Sequence, residues 1–266
     1  MMLSIVLPAY NEAQRISLSI EEIRTKMPSV CTAIAEILQC DRVAIAFEVI
    51  VVNDGSSDRT GEIVRKYIER FPDFDLQLID LPTNQGKGYA VKIGVEAARG
   101  KYIVFMDTDL STPLSELPKL IQALQKNKAI AIGSRGLAKS QIVMHQPIYR
   151  ELMGKIFNLL VKLFVINGIH DTQCGFKGFR AYEAKQIFGL LQTHRFGFDV
   201  ELLLIAQELG ISIQEIPVTW CNYIHSSVSP LRDSWEMFYS LLQMKRQVRQ
   251  SLLIAPIEEK IILHGQ

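Results

Sequence analysis

The first half of the chain alternates short apolar runs with helix-like segments. The apolar runs are continuous, which is typical of strands covered on both faces of a parallel sheet. The predicted strands are LSIVLP (3–8), FEVIVVND (47–54), LQLIDL (76–81), YIVFMD (102–107) and AIAIGS (129–134). This alternation indicates βαβ units, so we predict an α/β fold with a mostly parallel open sheet and helices on both faces.

The pattern changes after residue 135. A polar stretch at 136–147 precedes an apolar helix predicted at about 148–166, and a further helix and strand are predicted within 197–220. The stretch from Pro28 to Ala46 is long for a helix-to-strand connection, so we expect the preceding helix to continue into it.

No linker rich in Pro, Gly or Ser divides the chain. We therefore predict a single domain over residues 1–240, with halves at 1–135 and 136–230. A C-terminal amphipathic helix and tail follow at 231–266.

Composition excludes several classes of protein. The 266 residues have a formal net charge of +1, which gives no electrostatic footprint for nucleic acid. The apolar share of 48% is ordinary for a globular domain. The four cysteines form no CxxC pair, so we predict free thiols rather than a zinc site.

Polar residues follow three of the predicted strands. They are Tyr10-Asn11-Glu12, Asn53-Asp54, and Asp107 with Asp109. In open α/β sheets, ligands collect at the carboxyl ends of the strands. Two carboxylates spaced i, i+2 repel each other unless a cation offsets the repulsion. Turn chemistry and a metal site both remain open from the residues alone.

Two nucleotide-binding motifs are not satisfied. The stretch GKGYAV (86–91) lacks the third glycine of a dinucleotide fingerprint and follows a polar loop. The stretch GSSDRTGE (55–62) lacks the lysine and the spacing of a P-loop. A kinase or a dehydrogenase is therefore not supported.

A longer series of motifs carries a resemblance. In chain order they are PAYNE (8–12), VNDGSSDRT (52–60), NQGKG (84–88), DTD (107–109), GSR (133–135), QPIYR (146–150), DTQCGFKGF (171–179) and GFDVELL (197–203). The series resembles family-2 glycosyltransferases of the GT-A fold, in particular polyprenyl-phosphate hexosyltransferases of the dolichyl-phosphate β-glucosyltransferase type. It implies a Rossmann-like nucleotide-sugar-binding half followed by an acceptor half.

The resemblance implies a metal and a nucleotide-sugar site in the first half. Asp107 and Asp109 would hold Mg²⁺ or Mn²⁺ against the diphosphate of the donor, and hard oxygen ligands suit these ions. The implied nucleotide-sugar-binding residues are Pro8, Ala9, Tyr10, Glu12, Asp54, Gly86, Lys87 and Asp107. Alternatives remain: Asp54 could close an Asx-turn, and Lys87 could be a solvated lysine at a helix start.

The resemblance assigns the acceptor phosphate to Arg135 and Arg150. Arginine binds phosphate bidentately, although surface salt bridges are the alternative for both. The catalytic residues that we predict are Asp109, Arg135 and Asp199. Asp199 and its neighbour Glu201 could act as a base or orient the arginines, and we favour orientation.

Two positions depart from the family pattern. Ser111 stands where mannose synthases carry a glutamine. In HSSV (225–228), Ser227 stands where a phosphate-binding lysine is usual, and His225 could supply part of the missing charge.

The predicted function is inverting, metal-dependent transfer of a hexose onto a polyprenyl or dolichyl phosphate. The favoured donor is UDP-glucose, ahead of a GDP-sugar. The alternatives are a soluble or glycan acceptor with Asp199 as base, and a nucleotide-sugar-binding protein without transferase activity.

A lipid acceptor implies contact with a membrane surface. The apolar positions within 231–252 fit an interfacial helix with cationic anchors, although a helix packed on the core fits slightly better. The apolar face of 148–166 suits a membrane groove or a homodimer. The N-terminus lacks the basic region of a signal peptide and the anchor of eukaryotic relatives. We therefore expect a cytoplasmic protein that is peripheral at the inner face of the membrane.

Overall fold

The computed structural model describes residues 2–39, 45–126, 128–144, 154, 158–162, 165–195, 197–221 and 243–253. Its strands are β1 (Met2–Ala9), β2 (Ala46–Asn53), β3 (Leu76–Asp80), β4 (Tyr102–Met106), β5 (Ile130–Ser134), β6 (Gln141–Met144), β7 (Phe176–Arg180), β8 (Ile213–Pro217) and β9 (Thr219–Cys221). Its helices are α1 (Ile16–Leu38), α2 (Thr60–Arg70), α3 (Lys87–Ala97), α4 (Leu117–Gln125), α5 (Ala181–Leu190) and α6 (Phe198–Glu208). A 3-10 turn (Leu114–Glu116) leads into α4, and residues 158–162 and 243–253 are helical.

Seven strands form one sheet in the order β3-β2-β1-β4-β7-β5-β8. Strand β7 is antiparallel to both of its neighbours, and the other pairings are parallel. The predicted α/β fold with a mostly parallel sheet is therefore confirmed. Strands β6 and β9 pair in parallel as a separate two-stranded sheet.

Helices cover both faces of the large sheet because the central strands are apolar on both sides. On β1, Leu3, Ile5 and Leu7 pack with α1 and α4, whereas Val6 packs with α3 on the opposite face. Helices α5 and α6 cover the same face as α3. The predicted helices on both faces are confirmed.

The register brings the ends of β1, β2, β3 and β4 to one edge. Ala9 pairs with Asn53, and Asn53 pairs in turn with Asp80. Since Val6 pairs with Phe105, β4 ends beside the last residues of β1. The polar residues that follow these strands therefore leave the sheet at the same edge.

Helix α1 continues through Pro28 to Leu38, as expected from the length of that stretch. A proline inside a helix removes one backbone hydrogen bond. Pro28 lies on the exposed side, while its neighbour Met27 is fully buried. Burial of the apolar side of the helix holds it in place despite the lost bond.

Strand β7 was not predicted, because FKGFR contains a lysine and a glycine and has no run of β-branched residues. Lys177 is the second residue of this strand and is completely buried. A buried ammonium requires a partner, and the pairing of Lys177 is part of the candidate site.

The C-terminal helical residues 243–253 pack on the core. Met244 and Val248 are buried among residues of α5 and α6, and Arg249 forms an ion pair with Glu208. Residues 243–253 therefore form a helix packed on the core, which is the second of the two alternatives considered for this region. The other apolar positions proposed for an interfacial helix (Leu231, Trp235, Phe238 and Leu242) lie outside the described residues.

A buried carboxylate ties together three strands at the edge of the sheet opposite the candidate site. Glu48 on β2 accepts hydrogen bonds from Ser4 Oγ at 2.5 Å and from the Arg99 backbone N–H at 2.8 Å. Its second oxygen accepts bonds from Arg99 Nε at 2.8 Å and Gln77 Nε2 at 3.0 Å. With no solvent exposure, this carboxylate depends entirely on those donors.

We expect Glu48→Ala to lower the free energy of unfolding by about 3 kcal/mol, because it leaves buried donors without an acceptor. Urea denaturation at pH 7 measures the change. The matched control is Glu62→Ala, since Glu62 is exposed and forms an ion pair with the exposed Lys66 one helical turn away. A variant at Glu48 with the wild-type urea midpoint would contradict the assignment.

The same carboxylate predicts a pH dependence. Burial raises the pKa of Glu48, but the hydrogen bonds from Ser4 and Arg99 outweigh burial and hold that pKa below its ordinary value. Its contribution to stability is therefore complete above the ordinary carboxyl pKa and disappears as the pH falls through the lower folded value. We expect the difference in urea midpoint between wild type and Glu48→Gln to shrink as the pH falls below about 4.3.

Candidate active site

Asp107 and Asp109 lie in a turn that directly follows β4. The Leu110 N–H donates to the Asp107 carbonyl at 3.0 Å, and Leu110 has a positive φ of 50°. The Asp107 N–H donates to the Gly175 carbonyl at 3.0 Å, next to the start of β7. The turn is thus fixed by backbone bonds on both sides, which places the two carboxylates at the carboxyl edge of the sheet.

The two carboxylates have different surroundings. A Cβ atom on Gly175 would lie 2.0 Å from Asp107 Oδ2, so only glycine allows this approach. Asp109 Oδ1 accepts bonds from the Ser111 N–H at 3.0 Å and the Ser111 hydroxyl at 2.8 Å. Asp109 Oδ2 has no protein donor among the described residues. Ser111, which departs from the family pattern, therefore orients one of the predicted metal ligands.

Lys87 is the first residue of α3 and contacts Asp107 directly. Its Nζ lies 2.5 Å from Asp107 Oδ1, and its side chain is 23% exposed. Burial works against the charge, but the carboxylates of Asp107, Asp199 and Asp109 together hold the pKa of Lys87 above its ordinary value. The preceding Gly86 has a φ of 106°, which a residue with a side chain rarely adopts. The solvated-lysine alternative for Lys87 is thus not what the structure shows.

The residues at this edge fit a divalent cation whose coordination is completed by a bound diphosphate. Among the described residues no group of three or more His, Cys, Asp or Glu could enclose a metal ion. Asp107 and Asp109 supply two hard oxygen donors, and Mg²⁺ typically binds through one or two carboxylates together with substrate phosphates. The chemistry of the donor set therefore fits Mg²⁺ or Mn²⁺ held jointly with a diphosphate.

Asp54 fixes the loop that leads into α3. Its Oδ1 accepts the Gln85 N–H at 2.8 Å, and its Oδ2 accepts the Gly86 N–H at 2.8 Å and Asn84 Nδ2 at 2.9 Å. The Asx-turn interpretation of Asp54 is wrong, because the side chain bonded to the following Ser56 belongs to Asn53. Asp54 instead couples the end of β2 to the loop that positions Lys87.

The last two residues of β1 are bonded to the loops after β2 and β4. The Asp54 N–H donates to the Ala9 carbonyl at 2.8 Å, and Thr108 Oγ1 donates to the Pro8 carbonyl at 2.7 Å. Tyr10 is 43% exposed beside these bonds. Three of the predicted motifs therefore meet in one hydrogen-bonded unit.

Glu12 is engaged by a residue that sequence reasoning missed. Its carboxylate forms an ion pair with Arg15, including a bond from Arg15 to Oε1 at 2.8 Å. The Glu12 hydrogen bond and, secondarily, the charges of Asp109 and Asp107 hold the pKa of Arg15 above its ordinary value, against the effect of burial. Arg15 thus adds positive charge near the two carboxylates, and the only signal in the sequence was its i+3 spacing from Glu12.

Arg135 is held by a carboxylate that was not predicted. Its Nε donates to Asp171 Oδ2 at 2.7 Å and its Nη2 donates to Oδ1 at 2.9 Å. Its Cζ lies 5.3 Å from the centroid of the Trp220 ring. Burial opposes both charges, yet the pairing lowers the pKa of Asp171 to about 2 and raises that of Arg135. Because Nε and one Nη2 hydrogen are used, the remaining Nη hydrogens can bind a further anion. Arg150 lies outside the described residues.

We expected Asp199 to orient the arginines of the acceptor side. For Arg135 this expectation is wrong, because Arg135 is bonded to Asp171. Asp199 is buried in the first turn of α6, and its Oδ1 accepts a bond from Lys177 Nζ at 2.5 Å. Lys177 also donates to the Cys174 carbonyl at 2.7 Å and lies 5.3 Å from the Phe105 ring. Asp199 is therefore held by a buried lysine on β7 and not by an arginine among the described residues.

Glu201 has a positioning role in the segment 191–195. Its two oxygens accept the N–H groups of Gln192 at 3.0 Å and Thr193 at 2.7 Å. The following His194 carbonyl accepts the Tyr89 N–H at 3.1 Å. The segment therefore crosses the start of α3 beside Lys87. Among the described residues, the two Glu201 oxygens bond this segment and not an arginine.

Comparisons with known proteins agree with this geometry. Residues 4–188 match the family described as Glycosyl transferase family 2. A dolichyl-phosphate beta-glucosyltransferase of Drosophila melanogaster is 34% identical over 252 residues, which are 92% of this chain and 73% of the relative. The Homo sapiens protein of the same description is 35% identical over 252 residues, with 92% and 73% covered.

A solved structure shows the same fold. Glucosyl-3-phosphoglycerate synthase from Mycobacterium tuberculosis, in complex with Mn²⁺, UDP and phosphoglyceric acid, has a TM-score of 0.61 to this chain at 18% identity. The match covers 93% of this chain and 78% of that one. The fold, the family match and the identity over most of the chain together show that this protein is a glycosyltransferase and belongs to glycosyl transferase family 2.

Proposed function

We propose that the protein transfers glucose from UDP-glucose onto a polyprenyl or dolichyl phosphate, with inversion and with a divalent cation. The observation that carries the proposal is the arrangement of charges at one edge of the sheet. Asp107 and Lys87 lie at the end of β4, and Arg135 lies at the end of β5 with only β7 between these strands. Two strand spacings are about 10 Å, which is the scale of a donor diphosphate, a sugar and an acceptor phosphate.

The donor side supports a nucleoside diphosphate sugar. Asp107 and Asp109 would hold Mg²⁺ or Mn²⁺, which supplies Lewis-acid stabilisation of the leaving diphosphate. Lys87 places a further cation beside the same carboxylates. The structural relative was solved with Mn²⁺ and UDP, which favours UDP over GDP for this chain. The remaining nucleoside contacts are assigned to Pro8, Ala9, Tyr10, Glu12 and Asp54.

The acceptor side supports an anion that carries its own nucleophile. A phosphate monoester has a second pKa near 6 and is largely dianionic at neutral pH. Its oxygen attacks the anomeric carbon, the bond from that carbon to the diphosphate breaks, and UDP leaves with the electron pair. No proton has to be removed, which agrees with the pairing of Asp199 with Lys177. The curated relatives are described as acting on dolichyl phosphate.

Membrane contact remains part of the proposal through the acceptor. No helix in the described ranges combines the length and the apolarity required to cross a bilayer. We propose that the protein meets its lipid acceptor as a peripheral protein at the cytoplasmic face of the membrane.

The direct test is transfer of radiolabelled sugar into an organic-extractable lipid in the presence of short-chain polyprenyl phosphate and Mg²⁺. We expect label from UDP-glucose, little from GDP-mannose, and none from either donor in EDTA. Label in a soluble product without lipid, with a pH profile that shows an essential base, would favour the alternative acceptor. Absence of any product from either donor would contradict the proposal.

Asp109→Asn tests the metal role with the least change in shape. The asparagine oxygen can still accept the bonds from Ser111, but the charge is lost. We expect transfer to fall by at least about 100-fold, because the variant loses an anionic ligand of the cation that would stabilise the departing diphosphate. Thermal unfolding checks that the variant is folded. Unchanged turnover in a folded variant would eliminate the metal role of Asp109.

Gly175→Ala tests the position of Asp107 without removing any proposed ligand. The new Cβ would lie 2.0 Å from Asp107 Oδ2, so the carboxylate must move. We expect transfer to fall by about 100-fold, since displacements of about 1 Å can have effects of that size. The matched control is Gly189→Ala, because no atom lies within 4 Å of a Cβ at Gly189. Equal activity of the two variants would contradict the assigned geometry.

Arg135→Lys tests the acceptor side. Lysine keeps the charge but cannot form the paired bonds to Asp171 while also binding a phosphate through a planar group. We expect the KM for polyprenyl phosphate to rise about tenfold and the KM for UDP-glucose to change little. The control is Arg65→Lys, whose arginine is 57% exposed and pairs with Asp80. A change confined to the KM for UDP-glucose would place Arg135 on the donor side instead.

A further inference from the structure

The carboxylate of Asp107 already has a cation in contact. We propose that Lys87 is a built-in counter-ion that takes the place of the divalent cation on Asp107 in the free protein. The metal and the nucleoside diphosphate therefore bind as a coupled pair. This inference rests on the proposed function and adds that binding of the cation and binding of the diphosphate strengthen each other.

The geometry leaves Lys87 and a metal ion competing for one oxygen. Asp107 Oδ1 lies 2.5 Å from Lys87 Nζ. Gly175 lies against Oδ2, and the Asp107 N–H is bonded to the Gly175 carbonyl at 3.0 Å. The carboxylate thus has little freedom to turn away from the ammonium and offer both oxygens elsewhere. A divalent cation on Asp107 would meet the positive charge of Lys87 at close range.

The protein offers Lys87 no equivalent second partner among the described residues. Asp199 and Asp109 are the other carboxylates near Lys87, and Asp199 is bonded to the fully buried Lys177. Asp109 has one oxygen bonded to Ser111, and its other oxygen is part of the proposed metal site. An ammonium displaced from Asp107 would therefore remain partly buried without a full counter-charge.

A nucleoside diphosphate supplies the missing partner. Lys87 begins α3, where the helix dipole favours a negative group. A diphosphate bound there can take the ammonium from Asp107 while its other oxygens complete the coordination of the cation on Asp107 and Asp109. Each ligand thus removes an obstacle to the other, and the effect on the two affinities must be reciprocal.

Mn²⁺ binding, followed by calorimetry or by the EPR signal of free Mn²⁺, tests the inference without using activity. We expect weak Mn²⁺ binding to the wild type alone and at least about tenfold tighter binding when UDP is present. In Lys87→Met without UDP, we expect Mn²⁺ to bind about tenfold tighter than to the wild type without UDP. The strengthening by UDP should be smaller in this variant, because the competing ammonium is absent.

One control and one second variant make the result specific. Lys66→Met removes an exposed lysine that pairs with Glu62, and it should leave Mn²⁺ binding unchanged. Lys87→Gln serves as a second variant if thermal unfolding shows that Lys87→Met does not fold, and it should also tighten Mn²⁺ binding in the absence of UDP.

The outcomes separate the inference from the function on which it rests. If the wild type binds Mn²⁺ with UDP but both Lys87 variants bind Mn²⁺ alone no tighter than the wild type does, the counter-ion role is overturned and the metal site stands. If folded wild type binds no Mn²⁺ even with UDP, the proposed metal dependence itself is overturned.

Discussion

The arrangement of the site depends on the pairing of opposite charges at the carboxyl edge of the sheet. Among the described residues, the pairs at the ends of β4 and β5 and on β7 are Lys87 with Asp107, Arg135 with Asp171, and Lys177 with Asp199. Buried ion pairs contribute little net stability, because desolvation offsets the attraction between the charges. Asp199 and Asp171 are buried, whereas Asp107 is only half-buried. Removal of Lys177 or Arg135 would leave an uncompensated buried carboxylate. The pairs are therefore better understood as fixing positions than as stabilising the fold.

The three pairs are linked electrostatically. The charge of Asp199, like that of Asp107, raises the pKa of Lys87. The charge of Lys177, like that of Arg135, lowers the pKa of Asp171. The result is an alternating series of charges from the proposed donor side to the proposed acceptor side, with β7 in the middle. The antiparallel β7 makes this possible because it places Lys177 between the strands that end at Asp107 and Arg135.

The sequence predicted the parts of this arrangement that follow from a periodic pattern or from a short motif. The apolar strands and the polar residues after β1, β2 and β4 belong to this group, and the register of the sheet brings them together. Strand β7 could not be predicted from its pattern, since its lysine is buried only because α6 supplies Asp199. The partnership of Arg135 with Asp171 links positions 36 residues apart, and no local spacing indicates it.

The pairing of Asp199 also bears on which acceptor the site can use. A hydroxyl acceptor needs a base that lies within hydrogen-bond reach of the proton it removes. Asp199 is buried, and its Oδ1 is bonded to the fully buried Lys177. Arg135, held in place by Asp171, has guanidinium hydrogens left for an anion. An edge of this kind, with Asp199 paired to a lysine and with a fixed cation, favours an acceptor that arrives already charged, and a phosphate monoester meets that requirement.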